Sequence, residues 1–509
     1  MKIKLILSLI LFILIITPLV SEELSKEEVF RRTEKHALLG DIESQYYLGI
    51  CYEEGYGIEK NGFEAMSWYL TAAQQGHMES QFRLACLYDF KEGVLHNYVE
   101  AVKWYTAAAQ QGKWEAQFNL ALCYEQEKGV DRDYEAAFKW YLKAAEQGNA
   151  DAQYKVGVYY DFGTGVAQNA AEAFKWYSRA AEQGQIKSQY NLGVCYASGT
   201  GVEQNEAEAS RWFLQAAEQG NALAQKDIAE RYENGTGIAQ SYENAAKYYL
   251  LEAERGEAYA QAKMGEFYQN GAGVAQDFQE AFRWYDLAAD QDNAAGQLGL
   301  AFCYYNGWGV EQDLELAARW FELSAEKGNE IAQYYIAGCY ANGIGVDLNY
   351  ETAVEWYSYS ADNGYIPAKH SLGICYETGS GIEQNYELAV TWYYAAATEG
   401  YAPACYNLGL LYANGLGVEQ NFSEAVKCFT LAADQAHPDA LYSLASCYAL
   451  GNGVTQDFQE AYKYYLLTCN FATGELYQSA ETNLNLAAEQ LNASQIEAAT
   501  NEVNQILGN

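Results

Sequence analysis

The chain repeats itself every 36 residues, and it does so twelve times without insertion or deletion, from Asp41 to Ala472. A fixed period of this length cannot belong to a single closed core. It describes one small supersecondary unit that leans on its neighbours, so the chain folds as a stacked array. With each unit numbered 1 to 36, position 12 is tyrosine, position 17 glycine and position 25 alanine in all twelve copies. Agreement among copies inside one chain marks what the fold needs at that place.

The unit reads as two helices. In the fourth copy Gln153, Val156, Gly157 and Tyr160 recur at helical spacing and make one buried face, with the small residue at position 9 admitting a neighbouring helix and the tyrosine at 12 filling the space beyond. Glycine at 15, in ten copies, and at 17 then end this helix, because only glycine takes positive φ cheaply. Position 21 is Asn, Asp or Ser in every copy, from Asn61 to Asp457, which opens a second helix. Seven copies add Glu three residues later, as in Asn169 with Glu172, the pattern of a capping box. The second helix carries Ala at 25, an aromatic pair at 28 and 29 and small residues at 32 and 33, with nine tryptophans at position 28 from Trp68 to Trp392. That spacing is what a buried helical stripe requires.

A Gly-x-Gly turn before a helix, as in "DFGTGVAQN", also resembles a phosphate-binding loop. The third glycine of such a fingerprint is absent, with Gln168 in its place, and the turn recurs in almost every unit. It is a joint between helices. The expected architecture is therefore all-α, a right-handed α/α solenoid of twelve helix-turn-helix repeats. A lone second helix in residues 22–40 closes its front, and terminal helices in residues 473–509 close its back.

The consensus, seen nearly whole in "NADAQYKVGVYYDFGTGVAQNAAEAFKWYSRAAEQG" (149–184), resembles the Sel1-like repeat, a relative of the tetratricopeptide repeat with a longer turn. That resemblance implies a non-catalytic scaffold or adaptor that binds a protein or peptide, and, for exported bacterial members, action at the cell surface or toward host cells. Some secreted members have been associated with β-lactam or peptidoglycan chemistry, so a cell-wall-directed hydrolase or binder is the alternative. Its motif is poorly met: Ser-x-x-Lys occurs once, at Ser324 to Lys327, as a variant of the helix end "AAEQG". The five histidines show no metal-ligand spacing, and no cofactor is expected.

Thirty-one cationic against 68 anionic side chains leave a formal charge of −37. This disfavours nucleic acid and anionic membrane surfaces, which need a positive field, and fits a basic partner, host-derived where the protein acts on a host. Residues 1–21 carry two lysines, an apolar run from Leu5 to Ile16 and a polar exit at Ser21, the features of a signal peptide. The mature chain is expected in the periplasm, at the cell surface or secreted, or in the ER lumen or extracellular space of a eukaryote, with no stable membrane insertion after cleavage. Seven of the eleven cysteines share position 11. Neighbouring helices stack too far apart for these to pair, and Cys405 with Cys428, in the two helices of one hairpin, is the within-repeat pair to test.

In related solenoids the first helix lines the concave side, and the positions flanking the core stripe (6, 13 and 16) are those left free for a partner. Three aromatics stand there that the consensus does not ask for: Tyr305, Trp308 and, one repeat later, Tyr334. They are the expected partner-binding residues.

Overall fold

Position 17 shows how tightly one repeat is set on the next. Gly165 has φ +65°, as the turn requires, and a Cβ built on it would lie 2.3 Å from the carbonyl oxygen of Tyr134, the first residue of the preceding repeat's second helix. Gly201 stands in the same way against Ala170, and Gly309 against Phe278. Backbone meets backbone, so glycine is needed for space as well as for conformation.

The computed structural model describes residues 25–90 and 96–508; the signal-peptide reading of residues 1–21 and the turn glycine Gly93 lie outside them. The described residues form 27 helices and no strand. They divide into two compact units, Met1–Tyr248 and Tyr249–Asn509. Each unit is an α/α solenoid in which hairpin stacks on hairpin. The fourth repeat is typical, with helices Ala150–Phe162 and Ala170–Glu182. Gly163 ends the first of them in the left-handed conformation, at φ 68°. The amide of Asn169 then donates to the carbonyl of Tyr160 at 2.9 Å and folds the turn, while its side chain caps the second helix through the Glu172 amide.

All twelve residues at position 21 cap their helices in this way, but the capping-box expectation needs correction. Glu at 24 does not reach back to the cap. It turns outward to the basic residue three positions on, as in Glu100–Lys103, Glu172–Lys175, Glu208–Arg211 and Glu280–Arg283. An i,i+3 ion pair takes the carboxylate that the box would use. A complete capping box is present at Asn492 with Gln495, at the start of the last helix.

Two further positions prove to be occupied by the fold. The aromatic at 29 lies against the small residue at 9, with Tyr177 only 2.6 Å from a Cβ placed on Gly157. Its buried hydroxyl must find an acceptor, and position 13 supplies one: Tyr141 donates to Glu125 at 2.7 Å, Tyr177 to Asp161 at 3.2 Å and Tyr285 to Gln269 at 2.9 Å. The ring at position 6 packs on the same aromatic, as in Phe118 on Tyr141 and Tyr154 on Tyr177. Positions 6 and 13, expected to be free for a partner, therefore serve the core in most repeats.

The glutamine at position 5 links repeats. Gln153 is buried; its Nε2 donates to the carbonyl of Ala145 in the preceding repeat at 3.1 Å, and its Oε1 accepts from Gln183 of its own second helix at 2.7 Å. Gln81, Gln117, Gln189 and Gln261 make both bonds in the same way. Each amide joins three helices and leaves no buried dipole unpaired, which in a dry core costs about 1–3 kcal/mol.

The tryptophans pack as expected, Trp176 joining the cluster built on Phe138 and Tyr141 of the repeat before it. All eleven cysteines, Cys405 and Cys428 included, are free thiols, and burial pushes Cys303 and Cys428 up to about 12. The N-terminal helix Lys26–Leu38 occupies the place of a second helix, since Gly57 rests on the carbonyl of Lys26.

The two turn glycines are therefore unequal. Gly163→Ala meets only Gln168, its Cβ at 3.2 Å and its backbone no closer than 3.4 Å, and should cost ~1 kcal/mol of strain, whereas Gly165→Ala must also push two backbones apart and should cost more than ~2 kcal/mol. Denaturant titrations of the two variants check this, and equal losses would contradict the backbone contact.

Candidate functional site: an aromatic stripe on the first helices of repeats nine to twelve

The turn residues Asn or Asp at position 1 cap the first helix in repeats one, four, six, eight and nine, as with Asn149 and the Ala152 amide. Repeats ten and eleven put tyrosine there instead. Tyr365 and Tyr401 make no side-chain cap, as Lys113 and Glu257 make none in repeats three and seven, although a capping residue is worth ~1 kcal/mol. A proline follows inside the first turn of both helices and of the next, at Pro367, Pro403 and Pro438. Proline presets the helical φ where its missing amide is not needed, so it offsets part of the lost cap.

The freed side chains join the position-6 residues of the preceding repeats. Tyr334 lies 5.2 Å from Tyr365 between ring centroids, His370 lies 5.4 Å from Tyr401, and Tyr406 stacks on His437 at 5.0 Å. Three successive junctions thus carry an aromatic pair, each half-buried, along one side of the first helices Glu330–Asn342, Ile366–Thr378, Ala402–Asn414 and Pro438–Leu450. The phenols sense one another: burial first, then Tyr335, Tyr334 and Tyr401, push Tyr365 above its ordinary value.

His370 is the most displaced group in this stripe. It sits between Tyr393 and Tyr401, with Asn407 Nδ2 3.2 Å from its Nε2. Burial, and then the neighbouring His437, hold it down at about 4. Burial also lowers His437, against the pull of Asp439, and the Ala440 amide donates to its Nδ1 at 3.3 Å. Both imidazoles are thus kept neutral, and the stripe presents aromatic faces and hydroxyls without charge.

Of the three residues singled out in the sequence, Tyr334 belongs to this stripe. It packs on Tyr357 and Tyr365, and the other two also have intramolecular partners. Tyr305 stands edge-on to Phe321 at 6.1 Å; a phenylalanine at position 29 needs no acceptor, so an aromatic can replace the usual carboxylate at 13. Trp308 stacks at 5.4 Å and 15° on Phe278, over the seat of the Gly309 backbone. Among the described residues no ring contact joins Tyr305, Trp308 and Tyr334 to one another. Tyr406 stands at position 6, where an aromatic is common among the repeats, and so does not stand out in the sequence; Tyr365 and Tyr401 stand at position 1. The signal was at position 1, where a cap is given up.

A hollow of about 360 Å³ opens on the same unit's first helices, lined by Tyr259, Tyr285, Leu298, Phe302 and Ile331. Gly299 stands on its wall where other repeats carry a side chain, and the Tyr285 ring fills that place, 2.3 Å from a Cβ built there. Phe302 connects it to the position-7 residue Tyr335, 4.8 Å away.

The Ser-x-x-Lys element has a structural account. Ser324 is fully buried and donates to the carbonyl of Ala294 at 2.7 Å, and Ser360 does the same to Glu330 one repeat later, while Lys327 pairs with Asp292. Among the described residues no cluster of His, Cys, Asp and Glu is disposed to hold a metal, and no helix is long and apolar enough to cross a membrane.

Stacked α/α hairpins with a left-handed glycine after the first helix and a polar cap before the second make this an α-solenoid of the tetratricopeptide kind. The repeat itself decides the family: a model of the Sel1 repeat matches twelve times, from residues 42–77 through 222–257 to 438–470, and the chain belongs to the Sel1 repeat family. Among solved structures it is similar to a protective antigen present in uropathogenic Escherichia coli strains that displays an SLR fold, at 31% identity and a TM-score of 0.70, over 86% of this chain and 94% of that one. It is also similar to a Sel1 repeat protein from Oxalobacter formigenes, at 31% identity and a TM-score of 0.43, over 60% of this chain and 89% of that one. No curated protein matches the chain. Sel1 and tetratricopeptide-like repeats are protein–protein interaction scaffolds in general, and this chain shares that class.

The depressed histidine makes stability depend on pH with a definite sign. The unfolded chain takes up this proton below about pH 6.5, and the folded one refuses it until about 4, so the contribution is whole above 6.5 and lost as pH falls toward 4. His370→Gln, which can still meet Asn407, should remove ~1–2 kcal/mol of the stability lost between pH 6.5 and 5. Parallel pH profiles for parent and variant would contradict this.

Proposed function

We propose that the protein is an exported, non-catalytic scaffold that holds a protein or peptide partner on the first-helix face, with Tyr334, Tyr365, Tyr401 and Tyr406 as its anchors. The single observation that carries this reading is the sacrifice of two helix caps for two tyrosines in adjacent repeats. Lys113, uncapped in repeat three, instead makes an ion pair with Glu79, whereas the two tyrosines give up the cap for half-buried rings on the first-helix face, which favours recognition. Tyrosines suit a recognition surface because each covers a large area with few rotors and keeps a hydroxyl for the partner's backbone. Tyr305 and Trp308, already engaged by Phe321 and Phe278, form the weaker part of the same face.

The face corresponds to the concave side in related solenoids, where an extended segment can be followed across several repeats. The surrounding charge favours a basic partner, and a host protein is the candidate where the organism lives on a host. Export rests on the charged, apolar and polar succession of Met1 to Ser21, and the likeness to a protective antigen supports it. The mature chain then works in the periplasm, at the cell surface or outside the cell.

The test uses the residue that the sister repeats already carry. Tyr365→Asn and Tyr401→Asn restore the missing caps, so melting temperature should hold or rise while affinity for the partner recovered from the native organism falls about tenfold, ~1.4 kcal/mol. Unchanged affinity in the double variant would remove the stripe from the binding site. A much lower melting temperature would show that the tyrosines belong to the core.

A further inference from the structure

The last helix of the chain, Ala493–Leu507, packs on the second helix of repeat twelve, Phe458–Phe471, rather than on its sequence neighbour Gly474–Ala488. It covers the outward residues of that helix. Val503 and Leu507 close over Leu467, and Glu502 comes within 3.5 Å of Lys463, which already pairs with Glu460 at 2.5 Å. The set is a Glu, a base three positions on and a leucine four further on.

The same set recurs in neighbouring repeats with nothing over it. Repeat eleven has Glu424, Lys427 and Leu431 on Phe422–Ala433, and repeat seven has Glu280, Arg283 and Leu287 on Phe278–Ala289. Leu467 is 4% exposed under the resident helix, whereas Leu431 is 54% exposed. The Lys463 side chain is 13% exposed and its counterpart Lys427 69%. Repeats eight and nine continue the apolar row with exposed Leu323 and Tyr359, and repeat ten adds Tyr394 one position earlier, but the base is lost at Glu355 and Thr391 of repeats nine and ten. Repeats one to five carry Thr71, Ala107, Lys143, Arg179 and Gln215 at that place, so an apolar residue is no demand of the fold.

We propose that the outward face of the second helix of repeat eleven, Phe422–Ala433, docks an amphipathic, acidic helix of a partner protein, in the manner of the chain's own last helix on repeat twelve. The resident helix states the chemistry: apolar residues four apart, an acid beside them to meet the base, and no basic residue in "ASQIEAATNEVNQIL". A helix laid on Leu431 extends an interface that the molecule already makes one repeat further on. This surface is distinct from the first-helix stripe, so the two readings fail independently.

A fluorescent synthetic peptide covering residues 492–508 is the probe, added to the full-length protein with its own last helix in place. Saturable binding is expected, and Leu431→Glu and Lys427→Glu should each weaken it about tenfold without moving the melting temperature, since both side chains are exposed. Leu467→Glu, which unseats the resident helix, should leave that binding intact. Absence of saturable binding overturns the proposal, as does binding lost only in Leu467→Glu, which would mean exchange with the resident helix. A concentration-dependent dimer of the full chain that Leu431→Glu abolishes would assign the surface to a second copy and overturn the heterologous partner.

Discussion

The array rests on a contact between two backbones. Where the turn of one repeat meets the opening of the preceding second helix, there is no room for a methyl group, and the glycine at position 17 is present in all twelve copies. Such a contact fixes the distance and angle between hairpins more rigidly than side chains could, because side chains can repack and backbones cannot. The buried glutamine at position 5 then locks the same junction from the other end, by binding the last turn of the preceding repeat and the second helix of its own. With both ends of each junction set, the remaining positions need only be apolar and of about the right size.

This division explains which positions can drift. Repeat ten exchanges the glutamine pair for Lys369 with Glu399, and repeat eleven for Cys405, whose thiol points to the carbonyl of Ala397 at 3.8 Å. Asp292 and Ala436 hold positive φ without glycine at the end of repeats seven and eleven. Arg231 stands in repeat six where most copies bury a cysteine, and Ser210 of the preceding repeat shortens to receive it at 3.1 Å. Each departure has a local counterpart that keeps the junction closed. The aromatic stripe closes its own junctions ring on ring, whereas Leu431 and Leu323 of the outward row are left exposed.

Much of the architecture was legible in the sequence because a twelvefold repeat averages away everything but structural need. The helix limits, the αL glycines and the caps at position 21 follow from that average. What it hides is any role filled by two positions jointly. The carboxylate at 13 reads as a solvated charge until the Tyr hydroxyl at 29 is seen beneath it, and the glutamine at 5 reads as merely polar until its two partners are in place. The glutamate at 24 could satisfy a cap or a neighbouring base, and geometry chose the base. Of the candidate site, Tyr334 was expected from the sequence, although position 6 is aromatic in most repeats and Tyr334 packs on the position-29 ring of Tyr357 as its sisters do. Tyr365 and Tyr401 were legible only as the absence of a cap, and the seat of the last helix on repeat twelve was not legible at all, since amphipathicity does not say which neighbour a helix will choose.

The central claim is that repeats one to eight chiefly maintain the array and that repeats nine to twelve present the recognition surface on their first helices. Hydrogen exchange of the full-length protein, alone and saturated with its recovered partner, tests this most directly, because it reports backbone protection repeat by repeat. The account predicts added protection over the first turns of Ile366–Thr378, Ala402–Asn414 and Pro438–Leu450, with little change in Ala150–Phe162 or Ile186–Ser198. Protection confined to the early repeats, or spread evenly over all twelve, would contradict it.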